Sequence, residues 1–553
     1  MKVLLVSLLR IGDTLLALPL LESLRKSNPE IEIHILCNKG SSVLAPLMPF
    51  ARFHYFERDE LQKGLGEYNR PFFDSYFMLK ELIDELNDEK FDRLINVTQN
   101  RLSGWLCGAI GAGEKTGLVL NRNGVPNFGS TWFSYLNDYV AAGGKEIFHY
   151  SDIFCYGAGV SPVNRYSLAE TQEGRAEAEL IFSGHLGQRI LVQALTSDTK
   201  KNWSMEAWSE ALRLLQIKNP QARFYLVGAP FEEKSLLSLQ EMCLSKSIRA
   251  ELALCSFAGA YSLLCRSDLL LTGDTSIKHL ASATDCPVVE ISVGSSDYRK
   301  TGTYRKGNVI IQSKEPCAPC QHTVACGYES HRCGDRLSPE LIAMVAGAAL
   351  SGNRKSLMLL AREFSSEAEI LISDFSSSGY WMAEAYGDRP SVATIKKWIE
   401  RSTWKMMLEK EHLRPVGEFG SEGRRLCMAV LQAHPKFKKE DIKRSLLALE
   451  KEAGLTENVV GGLLTKSRKL SSTHDGEAAL KDMINLLYEE CDRDDSGRVL
   501  LSYLSSLGGA QKDGVPDLAR LRRIRGMLEE VKYKSTIRMK LIRSMQSQSM
   551  EML

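Results

Sequence analysis

At 553 residues the chain is longer than one compact core supports, and two to four domains are expected. Its composition, 44% hydrophobic and 25% charged with a formal net charge of +2, is that of an ordinary soluble globular protein. That balance excludes the basic excess typical of nucleic-acid binders. No apolar run approaches the ~18 residues of a membrane-spanning helix.

The opening MKVLLVSLLRIGDTLLALPLLESLRK has the apolar run of a signal peptide, but Gly12-Asp13 interrupts it and no small-residue cleavage site follows. A buried first strand feeding a helix fits better. With 13 cysteines, an odd number, the expected thiols are mostly reduced and the expected setting is cytoplasmic.

In chain order, Lys2–Ser7 reads as a strand, Asp13–Lys26 as a helix and Ile31–Cys37 as a strand. Phe73–Leu86 is helical in pattern and Arg93–Val97 is a strand, which makes a βαβ series over residues 1–165. A second series fills 166–350: strand Ile190–Ala194, helix Met205–Gln216, strand Phe224–Val227, helix Leu236–Leu244, strand Leu269–Leu271, a helix from Ser276 and strand Pro287–Ile291. The fold class is therefore α/β, with two facing Rossmann-like lobes. Residues 351–553 are charged and helical in pattern, with glycine breaks at 417–423, 454–462 and 508–514, and read as a mainly helical C-terminal domain.

Four turns follow strands, where open α/β sheets bind ligands. Asp13 in R-I-G-D-T is placed either to cap the next helix or to act as a base. Thr196, Ser197 and Lys201 in L-T-S-D-T-K-K-N-W offer donors and a cation to a diphosphate leaving group, or are simply solvated. Glu232 in V-G-A-P-F-E-E either meets ribose hydroxyls or sits in the first turn of a helix. In T-G-D-T-S-I-K-H-L-A-S-A, a turn and helix start offer backbone N–H groups to a pyrophosphate. Asp274, Thr275, Ser276 and His279 lie there, His279 being a donor-site or a core residue.

Together these turns resemble glycosyltransferase family 9, the heptosyltransferases. The first βαβ unit with its G-D and L-P, K-N-W at Lys201–Trp203, G-A-P-F-E-E, D-T-S-I-K-H-L-A-S-A and C-A-P-C…C…C carry the resemblance over residues 1–350. It implies a GT-B fold and an inverting transfer that requires no cofactor. The donor would be an ADP-heptose-like nucleotide-diphosphate sugar and the acceptor a lipid-linked lipopolysaccharide-core glycan. Asp13 would be the base, Lys201 with Thr196 or Ser197 would hold the phosphates, and Glu232 would meet the ribose. Asp274, Thr275 and His279 would line the donor site. Ser276 departs from the family's D-T-G, and Lys278 stands where a neutral residue is usual. A protein or other glycan acceptor, or a degenerate non-catalytic scaffold, are the competing readings.

Cys317, Cys320, Cys326 and Cys333 form C-x2-C-x5-C-x6-C, a spacing open to a structural zinc, to disulfides or to free thiols. Asp492–Val499 begins like a calcium loop but has Tyr503 at the twelfth position, so a plain turn is expected. Residues 520–543 carry nine Lys/Arg, and residues 518–545 read as an amphipathic helix. It either touches an anionic inner-membrane surface as a peripheral contact or packs on its own domain.

Overall fold

A computed structural model describes residues 1–61, 72–140, 148–184, 187–376, 379–385, 392–409, 424, 426, 439–470 and 517–552. The chain forms two compact units, Met1–Phe133 with Phe148–Gly387, and Ser134–Ile147 with Asp388–Leu553.

In the first unit, strands β1 (Lys2–Ser7), β2 (Glu32–Asn38), β3 (Ala51–Phe56), β4 (Phe91–Asn96) and β5 (Ala112–Gly117) make a parallel sheet in the order β3-β2-β1-β4-β5. β1 is central and buried from Val3 to Ser7, which is why it reads as a continuous apolar run. The helical stretch after it is split into Ile11–Leu16 and Leu18–Ser27. Pro19 lies at the start of the second piece, where it cannot donate to the carbonyl four residues back. A small antiparallel pair, β6 (Val119–Leu120) with β7 (Pro126–Asn127), follows.

The second sheet has eight strands in the order β10-β9-β8-β11-β12-β13-β14-β15. These are β8 (Gln188–Gln193), β9 (Ala222–Gly228), β10 (Ala250–Leu254), β11 (Leu269–Thr272), β12 (Val288–Ser292), β13 (Val309–Ser313), β14 (Ala368–Phe375) and β15 (Trp381–Ala385). The first six are parallel and the last two antiparallel. β14 and β15 differ from the expectation of a helical region beginning at 351. Their charged residues hide the pattern, yet Ile370 and Leu371 are buried and the pair covers the edge of β13. The second lobe therefore extends past Leu350 to the end of this unit.

In the second unit the described helices are Val392–Leu408, Lys439–Leu470 and Asp517–Met552. Lys439–Leu470 runs unbroken through Gly454–Gly462. The expected break is absent because Ala453, Val460 and Leu464 are buried on either side, so packing outweighs the roughly 1 kcal/mol helix cost of each glycine. The breaks expected at 417–423 and 508–514 and the turn at 492–499 lie outside the described residues. On Asp517–Met552, Leu528, Ile537, Leu541, Ile542 and Met545 are buried. Of its cations, Lys534 and Arg538 are buried against Glu400 at 2.8 and 3.1 Å, and Arg543 pairs with Glu450 at 2.9 Å. The apolar side thus packs on its own unit, and Lys534, Arg538 and Arg543 are engaged there. Among the described residues no helix is long and apolar enough to cross a membrane.

Candidate active site

Asp13 lies in the first turn of the helix Ile11–Leu16, just beyond β1. Its Oδ2 accepts the backbone N–H of Arg10 at 3.0 Å, so the capping role read from the turn is present. Burial raises its carboxyl above the usual value. The Arg10 amide and guanidinium oppose that rise, Asp274 adds to it and Lys201 opposes it. A half-buried carboxylate of raised pKa is a better proton acceptor than a fully solvated one.

Gly12 brings this turn against the second lobe. A Cβ there would lie 3.1 Å from the His279 ring and 3.9 Å from the Ser276 backbone. Asp13 and the turn after β11 therefore share one cleft. Gly273 does the same within the second lobe, where a Cβ would lie 3.2 Å from Thr196.

The β11 turn holds four alternating charges. Lys201 Nζ lies 2.6 Å from Asp274 Oδ2, Lys278 Nζ lies 2.6 Å from Asp274 Oδ1, and Lys278 also lies 2.8 Å from Glu290 Oε1. Lys278 and Glu290 are fully buried, which each alone would resist. Two ammonium groups and two carboxylates cancel. Burial would raise the Asp274 carboxyl, but Lys278 and then Lys201 outweigh it and hold it well below the ordinary range. His279 is pushed down to about 3, chiefly by burial and then by Lys278, and so stays neutral. Thr275 caps the helix Ser276–Ala281, its Oγ1 accepting the Lys278 N–H at 3.4 Å. That helix is only six residues long, so its dipole is weak beside the full charge of Lys201. Ser276 is half-buried at its start.

The other expected donor residues divide. Thr196 is turned inward, its Oγ1 donating to the Asp198 carbonyl at 2.7 Å, while Ser197 is exposed. Glu232 accepts the Ala229 N–H at 2.8 Å, the turn-capping alternative. Lys200 does not face the cleft. Its ammonium donates to the carbonyls of Gln321, His322 and Val324 at 3.3, 2.8 and 2.7 Å and fastens the cysteine loop. Glu290 escaped the sequence reading. Its signal was a carboxylate inside the apolar strand P-V-V-E-I.

The four expected cysteines are grouped in one loop, where Cys317 and Cys320 each have Cys333 as an electrostatic neighbour. Cys317, Cys320, Cys326 and Cys333 are free thiols. Among the described residues, the one set of three or more metal-type ligand atoms within 4.8 Å of each other contains none of them. Gly294 fastens the loop: Cys320 N–H donates to the Gly294 carbonyl at 2.9 Å, and Cys333 Sγ accepts the Gly294 N–H at 3.3 Å. Gly294 has φ +61, and a Cβ there would strike the Lys200 carbonyl, so only glycine fits.

Beside the cleft, a cavity of about 580 Å³ opens at the ends of β1, β2 and β3, lined among others by Arg10, Asn38, Lys39, Phe56 and Arg58. Arg10 also reaches His322 of the second lobe at 3.2 Å.

Two Rossmann-like lobes with sites at their facing strand ends define a GT-B glycosyltransferase fold. Residues 79–328 match the model of glycosyltransferase family 9 (heptosyltransferase). Lipopolysaccharide heptosyltransferase 1 of Escherichia coli K12 is 22% identical over 323 residues, covering 57% of this chain and 94% of that protein. A glycosyl transferase family 9 structure from Veillonella parvula superposes with TM-score 0.51 at 16% identity, over 64% of this chain and 98% of that one. The structure of an E. coli lipopolysaccharide heptosyltransferase II gives TM-score 0.46 at 14% identity, over 64% and 99%.

Proposed function

We propose that the chain transfers a heptose-like sugar, with inversion, from a nucleotide-diphosphate donor to a hydroxyl of a lipopolysaccharide-core-type acceptor at the cytoplasmic face of the inner membrane. The observation that carries this is the meeting of Asp13, on one lobe, with the Lys201–Asp274–Lys278–Glu290 chain on the other, across the Gly12–His279 contact. Asp13 takes the acceptor O–H proton as that oxygen bonds to the anomeric carbon. The bond from that carbon to the diphosphate oxygen breaks on the opposite face, and its electron pair leaves with the diphosphate. Lys201 then leaves Asp274 for the growing negative charge. Lys278 remains on Asp274, so that carboxylate is not stranded when Lys201 moves. The unusual lysine thus makes the departure affordable in charge terms.

A second acceptor class is favoured by one observation. Around the cavity, Arg10, Lys39 and Arg58 are matched by Glu57, Asp59 and Glu60, and Lys39 is paired with Glu57 at 3.3 Å. An acceptor rich in phosphate would meet no net positive charge there, which suits a neutral glycan or a protein hydroxyl.

The test is incubation with a panel of nucleotide-heptoses and hexoses against core oligosaccharide, neutral glycan and protein acceptors. Mass spectrometry reads sugar addition and NMR reads the anomeric configuration of the product. A heptose added with inverted configuration is expected. Retained configuration removes the single-displacement mechanism, and absence of any nucleotide-sugar binding by calorimetry leaves the non-catalytic scaffold.

A further inference from the structure

On the far side of the first lobe from the cleft, two histidines sit inside adjacent strands. His34 is in the middle of β2 and His54 in the edge strand β3, with 0% and 4% exposure. Their rings lie nearly parallel, 14° apart, and Phe91 closes against His34 edge-on at 5.1 Å. His34 Nδ1 and His54 Nε2 face each other at 2.8 Å. The outer nitrogens each meet a carboxylate: His34 Nε2 lies 2.9 Å from Glu32 Oε1, and His54 Nδ1 lies 3.1 Å from Glu85 Oε1.

Proton counting makes this arrangement incomplete. An ionised carboxylate only accepts, so each outer nitrogen must carry the ring hydrogen. Two neutral imidazoles have no further N–H, and their inner nitrogens then present lone pairs to one another. Either one shared proton or a metal ion between them completes the pair.

We propose that His34, His54 and Glu89 form a site for a divalent transition metal of the zinc class. Ligand atoms of these three residues lie within 4.8 Å of one another, and Glu89 Oε2 lies 4.0 Å from His34 Nε2, the nitrogen it shares with Glu32. Imidazole and carboxylate suit such an ion, and a ligating histidine characteristically donates its other N–H to a carboxylate, the part Glu32 and Glu85 play here. Glu89 is held in place by Lys2 at 2.7 Å and Arg52 at 2.6 Å. Zinc–nitrogen bonds of about 2.0–2.1 Å ask the two rings to part by roughly half an ångström. The ion would tie the edge strand β3 to β2 and, through Glu85, to the helix Phe72–Asp88. Phe56 at the end of β3 and the residues Glu57–Glu60 that follow it line the cavity, so the site braces that wall.

The test uses the full chain, stripped with chelator and titrated with zinc chloride by calorimetry, with elemental analysis after desalting. One zinc is expected to be lost in His54→Gln and kept in the Cys317→Ser/Cys320→Ser variant. Glu89→Gln should bind about tenfold more weakly. Cobalt in the wild-type site should lack the sulfur-to-metal charge-transfer band of a thiolate site. The proposal is overturned if His54→Gln, folded as judged by circular dichroism, binds as many zinc ions as the wild type, or if the wild type binds none and the histidines share a proton instead. Should His54→Gln fail to fold, a cobalt spectrum of the wild type with only a thiolate band, or no cobalt uptake, overturns it. None of these readouts depends on sugar transfer.

Discussion

The two lobes each bring one aspartate to the cleft, and their surroundings push the pair in opposite directions. The Asp13 carboxylate accepts the Arg10 N–H and is raised by burial, whereas Asp274 is gripped by two lysines and held down. Neighbouring carboxyls with separated proton affinities carry separate roles. The raised one suits proton transfer. The depressed one is a permanent anion that stores and aims the lysines.

The sharpest way to break this contrast is Asp13→Asn. Turnover should fall ~10²–10⁴-fold while calorimetric donor affinity holds. Equal losses in both would make Asp13 a binding or structural group.

The next largest effect concerns stability. Lys278→Met leaves Glu290 buried without its cation and should cost about 3–5 kcal/mol in urea denaturation. Adding Glu290→Leu should recover most of that loss. A single variant as stable as wild type would mean the buried pair is replaceable by water or by Lys201.

The pH profile of kcat/KM sharpens the comparison further. Because the Asp13 pKa is raised, its carboxylate is lost at a higher pH than the ~3.9 of a solvated aspartate, so the acid limb should lie above that value. A limb at the ordinary position would place the base in a solvated setting.

The smallest effect comes from His279. Its folded pKa is lowered, so below about 6.5 the unfolded chain binds a proton that the folded chain refuses. This contribution is present above the unfolded value and is lost as pH falls from there toward about 3. His279→Gln should flatten the decline of Tm between neutral and mildly acidic pH, and an unchanged slope would mean that the imidazole protonates in the fold.

What the chain disclosed beforehand follows from where periodicity speaks. KVLLVS, ILV (190–192) and LLL (269–271) are apolar runs because parallel strands are covered on both faces, and the turns after them hold Asp13, Lys201 and Asp274. Glu290 was invisible because its partner Lys278 is twelve residues away, and only the fold joins the two. Lys200 and Lys201 are adjacent yet leave one turn in different directions, Lys200 to the carbonyls of the cysteine loop and Lys201 to Asp274. His34 and His54 looked like single histidines in two unrelated strands until strand pairing placed them side by side.

The antiparallel pair β14–β15 bears on how the enzyme can be dissected. A truncation after Leu350, where the family resemblance ends, would strip both strands and leave the buried residues of β13 along an unpaired edge, a template for aggregation. A cut after Gly387 keeps all eight strands, so the place where homology stops is not the place where the lobe does.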